Sequence, residues 1–341
     1  MKTITRTFKH NWTLLLALAA LILLPFIIQW ITGDPATARR GESVFWQGIM
    51  IEVYILGILA MSYNLIFGFT GVISFGHALF FGIGGYSLAI FTEKLSNGAA
   101  WGLPVGLLAG LLIAAVVGLG VGLVSLRLRG VYFALFTLAI AEMFFIYFSR
   151  FAFTSAEDGF AIGAVPDWLN PTRNRLIYYY ITLALMSLTF VFIRRLISSP
   201  VGAVLVAIRE NEERARAIGY NTLNYKLYAI TVSSLLAALA GALHVLFNKK
   251  VGPEVLGLTY TVDPLLGTII GGLGTFVGPV LGMGGIHLSD RLLRDTVLEI
   301  GTYTLDIGAS WNVILGSAFI LVVIVFPRGI VGTFRRQRTR P

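Results

Sequence analysis

Residues 198–221 read SSPVGAVLVAIRENEERARAIGYN, the one long polar stretch in the second half of a chain that otherwise alternates apolar runs with short connections. Val201, Val204, Leu205, Ile208, Ala215 and Ile218 recur at three- and four-residue spacing. Arg209, Glu210, Glu213 and Arg216 fall largely on the other side, so the pattern predicts one amphipathic helix. Ser199 is placed as its N-cap, Pro200 as a first-turn proline and Gly219 as the glycine just past its end. Glu210 with Arg214 and Glu212 with Arg216 are glutamate-first i,i+4 pairs, each worth only about 0.2–0.5 kcal/mol. On pattern alone this is equally a solvated connecting helix or a surface worked by another molecule.

The remainder of the chain is apolar. Of 341 residues, 56% are hydrophobic and 13% charged, and the mean hydropathy is +0.81. Soluble domains carry roughly 25% charged residues, so the composition predicts an all-α integral membrane protein with one transmembrane domain over 1–341. The 38 glycines suit close helix packing in lipid, and the lack of cysteine removes disulfides and thiolate chemistry. The net charge of +9 sits mostly at the ends of apolar runs, which implies lipid rather than nucleic acid as the neighbour.

Apolar runs place spans at Trp12–Trp30, Gln47–Phe67, Ser74–Phe91, Trp101–Leu126, Val131–Phe151, Leu176–Ile193, Leu227–Phe247 and Trp311–Phe326, about eight in all. A tight Gly68–Gly71 connection separates the second from the third. The first run is longer than a signal-peptide core although Ala36-Thr37-Ala38 resembles a cleavage site, so an uncleaved span is expected. With the N-terminus, the 198–222 loop and the basic 328–341 tail all cytoplasmic, the glycine-rich run Pro264–His287 must leave and return on one side. That requires a re-entrant or broken segment covered by protein. Sixteen of the 26 Lys and Arg residues then lie on the cytoplasmic side, the expected sign of bias.

Three motifs carry polar groups or glycine to membrane depth. Asn64–Tyr86, NLIFGFTGVISFGHALFFGIGGY, holds Asn64, Ser74 and His77 among glycines that include Gly71 and Gly76. Its glycines serve close packing or a helix break, and His77 either lines a pathway or makes an interhelical hydrogen bond. Arg127–Glu142, RLRGVYFALFTLAIAE, holds Thr137, expected to bond its own i−4 carbonyl, and Glu142, which pairs with a cation or faces a cavity. Gly267–Gly285, GTIIGGLGTFVGPVLGMGG, with Gly271, Gly272, Gly274 and Gly278, is the broken segment or else a kinked packing helix. No G-x-x-x-x-G-K-[ST] is present, because no lysine follows a glycine, and the four histidines show no metal-ligand spacing. An enzymatic role, a cofactor bound by this chain and a metal site are not expected.

These stretches resemble the LivM-like permeases of branched-chain amino acid ABC transporters. RENEERARAIGYN is similar to that family's cytoplasmic EAA-type loop, with Ala215 and Gly219 at the small residue and the glycine, and Glu213-Arg214 in place of Glu-Ala. The first motif resembles GYTGxxSxGHAAFFGIGAY with Phe69, Leu79 and Gly85 as departures. The second resembles RLRGxYFAxxTLAxxE, and the third, with Phe326-Pro327-Arg328-Gly329, resembles IGGxGTxxGPxLG and FxPxG endings. The resemblance implies a bacterial inner-membrane importer built from a heterodimer of related permeases, two cytoplasmic ATPases that carry ATP and Mg, and an extracytoplasmic solute-binding protein. It implies a cytoplasmic coupling helix with Arg209, Glu210, Glu212, Ala215 and Gly219 at the ATPase contact, and Asn64, Ser74, His77, Thr137 and Glu142 along the substrate path. Branched-chain amino acids are the implied solute, with urea, short amides or aromatic acids as alternatives within the same architecture. A gradient-driven transporter acting alone is the rival outside it.

Overall fold

The computed structural model describes residues 2–128, 130–293, 297–300, 303–306, 311–326 and 329–337. Arg129, Arg294, Asp295, Arg328, Arg338 and Arg340, and with them much of the expected basic tail, lie outside the described residues. The helices are α1 (Lys2–Thr32), α2 (Glu42–Thr70), α3 (His77–Ala89), α4 (Gly102–Ser125), α5 (Val131–Arg150), α6 (Arg175–Ile197) and α7 (Pro200–Glu210). They continue as α8 (Glu212–Ala217), α9 (Thr222–Asn248), α10 (Thr259–Gly271), α11 (Gly278–Leu293), α12 (Trp311–Val325) and α13 (Gly329–Gln337).

The expected all-α membrane architecture is present, with differences in detail. Among the described residues six helices, α1, α2, α4, α5, α6 and α9, are long and apolar enough to cross a membrane, against about eight spans expected. The third expected span is a 13-residue helix that widens into a six-residue turn over Ile90–Leu95, and α12 has 15 residues. Two small antiparallel ladders interrupt the helical pattern: β1 (Phe160–Ala161) with β2 (Lys250–Val251), and β3 (Val297–Ile300) with β4 (Tyr303–Asp306). The connection expected at Gly68–Gly71 is helical to Thr70, because Gly71, at φ +75°, takes the left-handed cap and donates its N–H to Ile66 and Phe67 carbonyls.

Helix α2 is the axis of the molecule, buried over almost its whole length and packed by α6, α9, α10 and α11. Since lipid tails are as apolar as leucine, these helices are held by close packing and by hydrogen bonds between them. The Tyr179 hydroxyl donates to Leu21 O and lies 2.6 Å from the Tyr54 hydroxyl, which joins α6, α1 and α2. Tyr178 Oη donates to Leu243 O, and Ser233 Oγ donates to Ser62 O, each at 2.6 Å, which fastens α9 to α6 and to α2. In α4 the buried side is Gly102, Gly106, Gly110, Ala114, Gly118 and Gly122, a four-residue stripe laid against α3 and α9.

Helices α10 and α11 form an antiparallel hairpin in which Gly267 packs on Met283 and Gly271 on Gly278. The hairpin starts and ends at the end of the bundle away from α7 and α8. Its turn, residues 272–277, reaches the end where α7 lies. The chain therefore leaves and returns at the same end of the bundle. Asp290 and Arg291 belong to the last turns of α11, which runs past the expected end of the segment at His287.

The α3–α9 contact is tight enough to test. A Cβ on Gly241 would overlap the Phe81 carbonyl, and one on Gly84 the Ala238 carbonyl. Gly241→Val is expected to cost at least about 1–3 kcal/mol through overpacking and to lower the melting temperature or abolish a monodisperse elution profile in detergent. Gly120→Ala, where an added Cβ meets nothing within 4 Å, keeps both.

Candidate functional site

The three glycine-bearing motifs and the polar loop meet at one end of the bundle. A helix leaves its last four carbonyls without intrahelical partners, and a cation near that end also meets a favourable dipole. Gly68 supplies such a carbonyl on α2, and Arg209 of α7 donates a guanidinium N–H to it. One turn earlier Asn64 uses both ends of its amide. Its Nδ2 donates to Thr275 O at 2.9 Å, and its Oδ1 accepts from Gly274 N at 3.0 Å, so α2 holds the 272–277 turn. Gly274, at φ +70°, lies where a Cβ would stand 2.5 Å from Arg209 Nη1. Gly271, Gly272 and Gly278 frame the same turn, where Thr275 Oγ1 donates to Gly272 O and accepts from Gly278 N.

The 71–76 connection is held in the same way. Tyr63 Oη donates to Ser74 O at 3.0 Å, and Phe75 N donates to Thr137 Oγ1 at 3.1 Å. Gly76 lies where a Cβ would be 2.9 Å from the Thr137 carbonyl. Thr137 itself donates to the i−3 carbonyl of Ala134, not to the i−4 carbonyl expected. Thr261 of α10 accepts from Ala78 N at 2.8 Å and so satisfies an otherwise orphaned donor in the first turn of α3. His77 is fully buried; its Nε2 lies 3.0 Å from Ser62 Oγ and 3.2 Å from Ser233 Oγ, with the ring edge-on to Tyr63 and Phe80. It ties α3 to α2 and α9. Glu142 stands apart, exposed on the outer side of α5.

The polar loop is two helices rather than one. Ser199 caps α7 as expected by accepting from Gly202 N, with Pro200 in the first turn. Asn211, at φ −160° and ψ 102°, then breaks the helix and caps α8 through Arg214 N at 2.8 Å. Asn offers its backbone such local bonds, which compete with helix continuation. The break removes the i,i+4 geometry expected of Glu210 and Arg214, and no ion pair joins them among the described residues. The Glu212–Arg216 pair forms at 2.6 Å. Gly219, at φ +96°, ends α8, with its N–H on Arg216 O and Tyr220 N–H on Ala215 O, the bonding of a Schellman cap.

Glu212 is the anchor of this unit. Its carboxylate accepts from Lys226 Nζ at 2.5 Å and from Thr222 Oγ1 at 3.0 Å in addition to Arg216. Partial burial alone would raise its pKa, but the Lys226 bond and charge, with Thr222 and Arg216, hold it below the ordinary carboxylate value. Ala215 is buried against Val204, Ile208 and Tyr225. Glu210, Glu213, Arg214 and Gly219 face solvent, and so do Ile218 and Tyr220, which are 67% and 41% exposed.

One group was not singled out from sequence. Glu52, inside the second apolar run, is bonded by Arg291 Nη2 at 3.0 and 3.1 Å and lies 2.7 Å from His287 Nε2, locking α11 to α2 at the end opposite the loop. A carboxylate in a span is itself a signal; partners more than 230 positions away are not. No cluster suited to a metal ion occurs among the described residues.

Residues 45–326 match the family described as branched-chain amino acid transport system, permease component. The chain is 27% identical to the high-affinity branched-chain amino acid transport system permease protein LivM of Escherichia coli strain K12, over 97% of this chain and 77% of that protein. It is 25% identical to the probable branched-chain amino acid transport permease protein LivM of Methanocaldococcus jannaschii, over 66% of this chain and 74% of that protein. It is also 24% identical to the high-affinity branched-chain amino acid transport system permease protein LivH of Escherichia coli strain K12, over 81% of this chain and 90% of that protein.

The Glu212 cluster has a pH signature. A depressed folded-state pKa contributes stability that is complete above the unfolded value, 4.5, and lost as pH falls through it toward the folded value. The melting temperature of Glu212→Gln should therefore lie below that of the parent at pH 7. The gap should close below about pH 4.5; a gap that is constant across this range would remove the carboxylate's charge from the account.

Proposed function

The chain belongs to the branched-chain amino acid transport permease family, and on that premise we propose that it is the membrane-spanning permease subunit of an ATP-binding-cassette importer for branched-chain amino acids. The observation that carries this reading is the construction of the polar loop. Its inner surface is bonded to the core through Arg209 and Glu212, while Glu210, Glu213, Arg214, Ile218, Gly219 and Tyr220 are left to solvent. A connecting helix that served only to join α6 to α9 would have no need of an ordered bond to a third helix. A surface that receives force does.

In this mechanism two cytoplasmic ATPases close on ATP and push on α7 and α8. The ATPases carry the nucleotide and Mg, and this chain binds no cofactor. Arg209 passes the displacement to the end of α2 and the 272–277 turn, and Glu212 passes it to α9. ATP binding supplies the bias between two arrangements of the bundle. A second, related permease completes a heterodimer, and an extracytoplasmic solute-binding protein delivers the amino acid. Both termini are placed in the cytoplasm of a bacterial cell whose inner membrane holds the complex, and the α10–α11 hairpin is its re-entrant segment.

Of the path candidates, Asn64, Ser74, His77 and Thr137 hold partners within the chain and are assigned to the framework that joins the helices. Glu142 is assigned to the path, because a carboxylate in a span faces protein or water rather than lipid.

Two measurements test the reading. Extraction of the complex in mild detergent should recover a companion permease and P-loop ATPases, with hydrolysis stimulated by a liganded binding protein. Recovery of the chain alone, with transport that follows an ion gradient, would favour the independent transporter. Within the intact complex, Gly219→Val or Glu212→Ala should lower amino acid uptake at least about tenfold, the effect of a 1.4 kcal/mol loss in coupling, while hydrolysis continues. Coupled uptake at the parent rate in both would remove the loop from the mechanism.

A further inference from the structure

At the end of α5 opposite the coupling helices lies an open-mouthed cavity of about 390 Å³. Three elements build it. Helix α5 supplies Phe145, Ile146, Ser149 and Arg150, the following loop supplies Glu157, and the segment after β2 supplies Pro253 and Glu254. One cation, two carboxylates and an apolar wall are thus brought together by residues up to 109 positions apart. Arg150, Glu157 and Glu254 are exposed, and none is in an ion pair among the described residues. On the neighbouring helix α3 the ring of Tyr86 lies against Phe148 of α5, and its buried hydroxyl has no hydrogen-bond partner.

This arrangement matches one solute chemistry. A zwitterion presents a carboxylate, an ammonium and, in an aliphatic amino acid, a branched apolar side chain. A guanidinium is suited to bind the first in two parallel hydrogen bonds. The two glutamates suit the second, and Phe145, Ile146 and Pro253 suit the third. Urea or a short amide would pair with none of the three charges, and an anionic acid would meet two carboxylates. Position adds to the argument. Ser149, Ile146 and Glu142 follow one another at intervals of three and four residues, so one face of α5 runs from the cavity to the exposed mid-span carboxylate.

We propose that this cavity is a receiving site for a zwitterionic aliphatic amino acid, with Arg150 on its carboxylate and Glu157 and Glu254 on its ammonium, from which the solute moves down the α5 face toward Glu142. The assignment rests on the importer reading and narrows it, since it selects amino acids over the neutral and anionic solutes compatible with the same architecture.

The test uses the full chain in lipid nanodiscs and ligand-detected saturation-transfer NMR with three probes: leucine, leucinamide, which lacks the carboxylate, and 4-methylpentanoate, which lacks the ammonium. Leucine should bind, and each of the other two should bind about tenfold or more weakly, as the loss of a charge-assisted bond implies. Arg150→Gln should abolish the preference for leucine over leucinamide and leave that over 4-methylpentanoate. The Glu157→Gln, Glu254→Gln double variant should do the reverse. No leucine signal with the parent chain, or preferences unaltered in both variants, overturns the site. A parallel assay in the reconstituted importer separates this failure from that of its premise. Leucine uptake by the parent complex with equal uptake by Arg150→Gln discards the receiving site alone, whereas no amino acid uptake by the parent complex discards the importer reading and the site with it.

Discussion

Inside a membrane a helix end is a problem of unpaired carbonyls, and the way α2 solves it organises the functional end of the molecule. The carbonyls of the last turn have no intrahelical partners, and here they take them from elsewhere in the chain. Gly71 satisfies two carbonyls by turning left-handed, and Arg209 satisfies that of Gly68 from a different helix. That bond needs the guanidinium beside the 272–277 turn, which in turn needs glycine at 274. It needs α7 to lie against α2, while Val204 and Ile208 of the same helix are buried on Ala215 and Tyr225. A requirement of backbone chemistry thus fixes the place of a surface loop.

The same economy runs through the core. Each buried polar side chain that sequence marks as unusual for its depth is spent on a backbone group or another helix. Asn64 closes the hairpin turn, Thr137 and Tyr63 hold the 71–76 connection, and Ser62, Ser233 and His77 join three helices at one point. Such bonds are worth only about 0.6 kcal/mol on average in a membrane protein, so their main yield is register. Tight backbone approach, as at Gly84 and Gly241, supplies the rest.

Much of this was legible in the chain. Run lengths placed the long helices, capping chemistry placed Ser199, Pro200 and Gly219, and the glycines of the Pro264–His287 run marked where its helix is interrupted. What was not legible depends on distant partners or on local competition. The amphipathic pattern continues across Asn211, so periodicity reads one helix where an Asx cap makes two. Glu52 was visible as a charge within an apolar run, yet only the fold shows His287 and Arg291 beside it. The four-residue glycine stripe of α4 was available to inspection as a packing face. The destination of Arg209 was not, because the orphaned carbonyl it serves is 141 positions away.

These attachments also determine how a displacement of the loop would distribute itself. Helix α8 is short, but Glu212 binds it to Lys226 and Thr222 at the start of α9, so α8 and the root of α9 move as one body. Helix α7 is joined to α2 through Arg209. Helices α2 and α9 are themselves joined through Ser62, Ser233 and His77, and α2 is pinned to α11 by Glu52 at the far end. Between these stiff members lies the 272–277 turn, which lacks continuous helical bonding and is held by two side-chain bonds from Asn64. It is the compliant element of the end that the loop touches. A push that shifts α7 relative to α2 alters the two contacts that shape this turn, those of Arg209 and Asn64, before it disturbs any intrahelical ladder. The hairpin turn is therefore the element that a displacement of α7 reaches first, while the Glu52–His287–Arg291 cluster keeps α11 on α2 at the opposite end.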